Sequence, residues 1–173
     1  MFRKLYKNAF NKNGELKTFK KQLKDYLDKL EIKNNKFQKD FIYGINDYGE
    51  KVGAYENKEG QIFLNSQVWA ILAGIVEGED ARKLLDTVEE KLGCEYGYQV
   101  QYPSYTKGSD KIGRSSYFKP GCYENGSVYN HGVAFKIGAD CMTYGGDKAL
   151  ETIYRILPVN PEHTYEQSGV EPY

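Results

Sequence analysis

The side chains best suited to chemistry in this chain lie between residues 117 and 135, which read YFKPGCYENGSVYNHGVAF. A Pro-Gly pair and an Asn-Gly pair frame Glu124, and His131 stands where an apolar, helix-spaced run begins. Because such pairs supply the backbone angles of tight turns, the segment predicts a shaped loop that leads into a helix. A loop of this kind can direct a carboxylate, an amide and an imidazole into one cleft. The alternative is an ordinary loop followed by a capped helix.

Composition limits the kinds of partner. The chain has 173 residues, enough for one domain with its own core. Its 24 Lys and Arg balance its 24 Asp and Glu, which argues against a nucleic acid or an anionic membrane as the main partner. The 16 Tyr favour a polar ligand, because a tyrosine joins a flat apolar face to a hydroxyl. A general compositional bias is the alternative explanation of the tyrosines.

The sequence predicts no membrane segment, disulfide framework or metal site. No apolar run reaches the roughly 18 to 20 residues that cross a bilayer, and the first residues lack a secretory core, so we expect a cytoplasmic protein. Cys94, Cys122 and Cys141 are widely spaced without a CxxC pair, which fits reduced thiols. Only His131 and His163 could help to bind zinc, and no ligand spacing emerges, so we expect no metal.

Apolar spacing identifies the elements that must position the loop. Stripes with the helical period predict helices over 2–10 and 16–30, and two helical hairpins, one over 65–92 and one over 133–157. Short apolar pieces between turn signals predict a few short strands near 41–64. The first helix starts without a capping residue, which suggests that further sequence precedes it.

Caps and buried faces can also be assigned within the two hairpins. Asn65 and Ser66 would cap the first helix, and Gly78 would break it. Asp147 would begin the last helix, and Pro158 would stop it. The residues predicted to face inwards are Val68, Trp69, Leu72, Ile75, Val76, Leu84, Leu85, Val88, Leu92, Val133, Ile137, Cys141, Ala149, Leu150, Ile153, Tyr154 and Leu157.

The same unit occurs twice: a long loop, a mostly apolar helix, a tight turn and an amphipathic helix. Such repetition predicts a helical toroid, in which the apolar helices line the inside and the loops before them gather at one end. The rim formed by these loops would carry Arg114, Lys119, Tyr123, Glu124, Asn130 and His131. This mixture suits a hydroxyl-rich or anionic ligand, although it does not by itself name a reaction.

Five segments share the order and spacing of one enzyme family. They read GQIFLNSQVWAILAGI (60–75), QYPSYTKGSDKIGR (101–114), PGCYENGSVYNHGVAF (120–135), GDKALETIYRILPVNP (146–161) and GVEPY (169–173). In these segments the chain resembles the C-terminal part of the catalytic domain of the cellobiose and chitobiose phosphorylases, glycoside hydrolase family 94, formerly glycosyltransferase family 36.

The resemblance implies a fold and a reaction. The fold would be mainly α, with residues 1–173 forming a single partial (α/α)6 barrel domain, incomplete at both ends. The reaction would be inverting phosphorolysis of a β-linked disaccharide to an α-sugar 1-phosphate and a free sugar, with inorganic phosphate as co-substrate and no cofactor. His131 would bind phosphate. The residues that would bind the sugar are Arg114, Phe118, Tyr123 and Glu124.

The chain also departs from the family pattern. The family's general acid, an Asp that follows a Trp, lies upstream of the matched region, whereas Trp69 stands in another motif. The family's phosphate-binding Arg also lies upstream, and its Thr-Gly pair lies downstream. We therefore expect a fragment that is inactive alone, and a complementary chain with the rest of the barrel is a candidate partner. The alternative is a non-catalytic carbohydrate-binding or partner-binding remnant of the barrel. The sequence does not identify which disaccharide is the substrate.

Overall fold

The computed structural model describes residues 41–158, 160, 162–164 and 166. The helices predicted over 2–10 and 16–30 lie outside these residues. Four α-helices occur in the described part: α1 (Leu64–Leu72), α2 (Gly78–Leu92), α3 (Asn130–Thr143) and α4 (Gly146–Ile156). A short 3-10 helix spans Arg114–Tyr117. The prediction of a mainly helical fold is confirmed. None of the helices described is long and apolar enough to cross a membrane.

Six two-residue strands form three small antiparallel sheets. The strands are β1 (Gly44–Ile45), β2 (Lys51–Val52), β3 (Ile62–Phe63), β4 (Gly93–Cys94), β5 (Gly97–Tyr98) and β6 (Gln101–Tyr102). β1 pairs with β2, β3 with β6, and β4 with β5. The strands near 41–64 were predicted, and those in 93–102 were missed because glycine and tyrosine gave that stretch a loop composition. The pairing of β3 with β6 is the important one here, since it joins the start of α1 to a loop almost 40 residues later.

Helices α1 and α3 lie side by side and run in the same direction. A Cβ atom added to Gly132, near the start of α3, would lie 3.3 Å from Leu64 at the start of α1. One added to Gly138, further along α3, would lie 3.2 Å from Leu72 at the end of α1. The two glycines therefore allow a close approach that a larger residue would obstruct. Each helix of this pair is followed by its hairpin partner, α2 or α4.

The hydrophobic core joins the two hairpins. Its fully buried members are Ile62, Leu64, Val68, Ala70, Ile71, Ala81, Leu84, Leu85, Val88, Leu92, Tyr98, Val133 and Ala139. The predicted inner face of α2 is confirmed in this set. The predicted faces of the other helices are partly wrong, because Trp69, Ile75, Cys141, Leu150 and Tyr154 are exposed.

The largest error concerns α3 and α4. The sequence stripe placed Ile137 and Cys141 inside, but the buried face of α3 contains Lys136 and Asp140 together with Val133 and Ala139. In α4 the buried residues are Ala149 and Thr152. A charged pair can occupy an inner face when its members neutralise each other, and hydrophobic periodicity does not register such a pair.

The predicted cap and break of α1 are also wrong. The helix begins one residue before Asn65, and Phe63 takes the cap position without a side-chain cap. Ser66 instead donates a hydrogen bond to the Phe63 carbonyl from within the first turn. Gln67 holds the backbone of Phe41, accepting from its N–H (2.6 Å) and donating to its carbonyl (2.7 Å). At the other end, α1 stops at Leu72, several residues before the predicted break.

Candidate functional site

Two loop segments, 99–105 and 114–131, meet at the N-terminal ends of α1 and α3, and we call them the rim. The backbone N–H of Leu64 donates to the Val100 carbonyl (2.9 Å), and that of Val100 donates to the Ser127 carbonyl (2.8 Å). These bonds tie the start of α1 to the first loop and the first loop to the segment that enters α3. The loops before the two parallel helices therefore gather on one side of the molecule.

Asn125 lies at the centre of the rim. Its side chain is fully buried and makes four hydrogen bonds. The Oδ1 atom accepts from Gln101 Nε2 (3.0 Å) and from the Tyr105 N–H (2.8 Å). The Nδ2 group donates to the carbonyls of Tyr105 (2.8 Å) and Phe118 (2.7 Å). The Asn-Gly pair was recognised in the sequence as a turn, but its role as the link between two loops was missed.

Three of the predicted sugar-binding residues form what we call the rim stack. The Arg114 guanidinium lies over the Phe118 ring, 5.3 Å from its centroid. The Phe118 and Tyr123 rings are tilted at 44°, with centroids 5.0 Å apart. Tyr123 is 68% exposed and has a φ of 50°, a left-handed conformation that is rare for a tyrosine. The stack therefore presents an aromatic surface and a cation to solvent.

Glu124 follows the rim stack directly in the chain and is exposed. Lys119, on the same loop, is exposed as well. The backbone N–H of Gly121 donates to the Asn125 carbonyl (2.8 Å), which closes the turn that carries these side chains. An exposed carboxylate beside an aromatic ring can accept hydrogen bonds from a ligand's hydroxyl groups.

His131 lies in a second aromatic group, the seam group, along the contact between α1 and α3. Its ring meets Phe135 edge to face, with centroids 5.0 Å apart, and Phe135 in turn contacts Trp69 (4.9 Å). The ring centroid of Tyr129 lies 6.4 Å from that of His131. Among the described residues, no ring contact or hydrogen bond joins His131 to the rim stack. The structure thus brings Arg114, Phe118 and Tyr123 together but leaves His131 in a neighbouring group.

A buried polar network on the inner face of α3 joins this helix to α4. The sequence reasoning missed it. Lys136 Nζ donates to both carboxylate oxygens of Asp140 (2.9 and 2.7 Å), and the Thr152 hydroxyl donates to Asp140 (2.6 Å). Lys136 also lies 4.1 Å from the centroid of the Tyr98 ring. The spacing of four residues between Lys136 and Asp140 was the available signal, since it places both side chains on one helix face.

The network continues to α2 and α4 through an ion pair. The Tyr98 hydroxyl donates a hydrogen bond to Glu89, and Arg155 donates to the same carboxylate (2.8 Å). Burial raises the pKa of Glu89, but these hydrogen bonds and the charges of Arg155 and Lys136 together outweigh burial and hold the pKa below its ordinary value of 4.5. Burial is also the main cause of the raised pKa of Tyr98. At neutral pH, Glu89 is therefore ionised and Tyr98 is uncharged.

A separate groove of about 570 Å³ lies on the outer side of α4. Its walls include Leu150, Tyr154, Arg155 and His163, and none of the predicted site residues lines it. No cluster of three His, Cys or acidic side chains that could hold a metal ion occurs among the residues that the structure describes.

The profile of the Glycosyl hydrolase 94 superfamily catalytic domain matches residues 2–173. The chain therefore belongs to this family, which confirms the resemblance drawn from its motifs.

Three relatives show how similar the chain is to characterised enzymes. The chain is 44% identical over 133 residues to solabiose phosphorylase of Paenibacillus borealis. It is 38% identical over 132 residues to 3-O-beta-D-glucopyranosyl-beta-D-glucuronide phosphorylase of the same organism. It is 32% identical over 133 residues to N,N'-diacetylchitobiose phosphorylase of Vibrio furnissii. The matches cover 76 or 77% of this chain and 17% of each relative, so the chain spans about a sixth of their length.

Proposed function

We propose that this chain is part of the catalytic domain of a glycoside phosphorylase, which cleaves a β-linked disaccharide with inorganic phosphate and needs no cofactor. Residues 1–173 would form one section of an (α/α)6 barrel. The observation that carries the proposal is the rim itself. In a member of this family, the loops with the predicted sugar-binding residues and the helix end with His131 lie on one side of two parallel helices.

The rim stack and Glu124 would bind the sugar. A pyranose ring has an apolar face of C–H groups that packs on an aromatic ring such as Tyr123, and its hydroxyl groups need acceptors and donors at the edge. The Glu124 carboxylate supplies acceptors and the Arg114 guanidinium supplies donors. Exposure of these groups supports the role, since a buried stack could not meet a ligand.

His131 would contact the phosphate. It is in the first turn of α3, where backbone N–H groups lack partners within the helix and can donate to an anion. The rings of Phe135 and Tyr129 lie next to its ring, with centroids 5.0 and 6.4 Å away. In an inverting phosphorolysis, phosphate attacks the anomeric carbon while an acid protonates the departing oxygen on the other face. Phosphate is already nucleophilic, so one carboxylic acid suffices.

The proton donor would lie on another part of the barrel. Trp69 is the single tryptophan of this chain, and Ala70 follows it on α1 instead of an aspartate. This observation favours a second candidate function for the chain by itself, namely binding of sugar or phosphate without catalysis. Both candidates share the same binding residues, and they differ in whether product forms once the rest of the barrel is supplied.

An assay of sugar 1-phosphate formation separates the two candidates. The full chain is incubated with phosphate and a panel of β-linked disaccharides, alone and with a complementary fragment that carries the upstream and downstream parts of a relative. We expect no product from the chain alone and product from the mixture. Product from the chain alone would contradict the assignment of the acid to another segment. Binding without product in either case would support the non-catalytic function.

The phosphate role is tested by His131→Gln, with His163→Gln as the matched control because His163 lies at the outer groove. Hydrogen bonds to charged groups contribute about 1.5–3 kcal/mol, so we expect His131→Gln to weaken phosphate binding roughly 10- to 100-fold. The affinity for sugar and the affinity of the control for phosphate should change less than about twofold. Equal weakening of sugar and phosphate binding by His131→Gln, measured by calorimetry, would argue against a phosphate contact.

A further inference from the structure

Asn125 forms hydrogen bonds to the backbone at or next to both aromatic residues of the rim stack. Its side-chain Nδ2 donates to the backbone carbonyl of Phe118 (2.7 Å), the residue whose ring lies between Arg114 and Tyr123. Its backbone N–H donates to the Cys122 carbonyl (3.0 Å), which closes the turn containing Tyr123. One residue thus fixes the main chain on either side of the contact between the two rings.

The hydrogen-bonding capacity of this amide is fully used. An asparagine has two N–H donors and two acceptor sites on its oxygen, and all four are satisfied at 2.7–3.0 Å. The partners are mainly backbone groups of loops that have little regular secondary structure, so the side chain replaces the ladder bonds that a sheet would supply. A residue without both donors and acceptors could not hold Tyr105 and Phe118 together.

We propose that Asn125 is a positioning residue, which holds the Phe118 and Tyr123 rings in the geometry that receives the sugar. The proposal rests on the function proposed above and adds the residue that preorganises its sugar subsite. Preorganisation matters because a loop that must be ordered on binding loses affinity. Asn125 itself is fully buried, so it would act on a ligand only through these two rings.

Asn125→Asp is the most direct test. The substitution keeps the shape of the side chain but removes both donors, so a carboxylate then faces the carbonyls of Tyr105 and Phe118. We expect roughly tenfold weaker binding of D-glucose at pH 8, whereas phosphate binding should change less than about twofold. Acidification should partly restore glucose binding, because a protonated carboxyl can donate one of the lost bonds.

Gln67→Glu is the matched control. Gln67 is equally buried, and its amide also holds backbone groups, but it fastens Phe41 to α1 instead of joining the rim loops. The same amide-to-carboxylate change should therefore lower stability without a selective loss of glucose binding. If Gln67→Glu weakens glucose binding as much as Asn125→Asp, the effect is one of general stability and the proposal is wrong.

A second measurement does not depend on any ligand. Because the two ring centroids are 5.0 Å apart, we expect the ring current of Phe118 to shift the NMR resonances of the Tyr123 ring, which comparison with the spectrum of Tyr123→Phe would assign. We expect the shift to be lost in Asn125→Asp and kept in Gln67→Glu. If the shift and glucose binding both persist in Asn125→Asp, the proposal fails. If the wild-type chain shows the shift but binds no glucose, the proposed sugar-binding function is wrong. The NMR comparison of Asn125→Asp with wild type then still tests whether Asn125 positions the two rings.

Should Asn125→Asp fail to fold by circular dichroism, Gln101→Met takes its place. This change removes one of the four bonds to Asn125 and also a buried Oε1 atom that has no hydrogen-bond partner among the described residues. We expect a smaller change of the Tyr123 resonances in the same direction. Unchanged resonances in a folded Gln101→Met variant would count against the role of Asn125.

Discussion

The rim and the layer behind α3 both depend on buried polar side chains, but the chemistry differs. In the rim, the neutral amide of Asn125 bonds mainly to backbone groups. Behind α3, Lys136 and Asp140 bond to each other and to Thr152, while the helical backbone is already satisfied. The rim loops are thus joined by an amide that both donates and accepts, whereas the packed helices enclose a charged pair whose members neutralise each other.

The two regions also differ in what lies on their outer side. The rim amide supports exposed groups that can meet a ligand, Tyr123 and Glu124 among them. Lys136 and Asp140 are 1% and 0% exposed, and their partners Tyr98 and Thr152 are buried as well. We therefore expect changes in the rim to alter binding more than stability, and changes behind α3 to alter stability more than binding.

The largest effect should come from Asp140→Ala. This change leaves the Lys136 ammonium buried without its counter-charge, and loss of one partner of a buried pair costs about 3–5 kcal/mol. The free energy of unfolding from denaturant titration provides the measurement. The double variant with Lys136→Met and Asp140→Leu should recover most of the loss, because an apolar pair needs no desolvation of charge. A loss below about 1 kcal/mol in the single variant would mean that the pair is not buried as described.

A smaller effect should appear in the acid dependence of stability. Glu89 has a pKa below 4.5 in the folded chain, so its carboxylate contributes stability above that pH, and the contribution disappears as the pH falls through the lowered pKa. We expect Glu89→Gln to lower the free energy of unfolding at pH 7 to 8 and to flatten its fall below pH 4.5, so that wild type and variant converge in acid. The side chain is 41% exposed, so screening by solvent limits the contribution to about 1 kcal/mol at most. Unfolding free energies at a series of pH values will measure the effect. A parallel fall in wild type and variant would contradict it.

An effect of similar size concerns the backbone of the rim. The left-handed φ of Tyr123 costs an L-residue energy that glycine avoids, so Tyr123→Gly should be more stable than Tyr123→Ala by roughly 1 kcal/mol. Both variants lose the ring and should bind glucose weakly. At Tyr55, which has no positive φ, the order of the two replacements should reverse. Thermal unfolding of the four variants decides the point, and the same order at both positions would exclude backbone strain at Tyr123.

The sequence was sufficient to predict the helices of both hairpins, but it did not predict all of their buried faces. Apolar spacing identified both hairpins because their periods are strong, and the face of α2 was assigned correctly. It failed for α3, where Lys136 and Asp140 are buried and Cys141 is exposed, because the pattern counts hydrophobic residues and treats every charge as solvated. The cap of α1 failed for a related reason, since Ser66 and Gln67 bond to groups 25 and 26 residues away.

Less of the site was accessible from sequence. Turn pairs around Glu124 correctly indicated a shaped loop, and the family motifs pointed to the residues of the rim stack. The contact of Arg114 with Phe118 and the link from Asn125 to Tyr105 depend on loops that meet only in the folded chain. The roles assigned to His131, Arg114, Phe118, Tyr123 and Glu124 stay predictions until binding is measured.

The common direction of α1 and α3 has an electrostatic consequence. Each α-helix carries the equivalent of roughly half a positive charge at its N-terminus. Both N-termini are on the rim side, so the backbone N–H groups that lack partners within these two helices are directed to the same side, whereas the hairpin partners α2 and α4 run in the opposite direction. An anion that reaches the rim can therefore accept hydrogen bonds from the ends of two helices, in a chain whose formal net charge is zero.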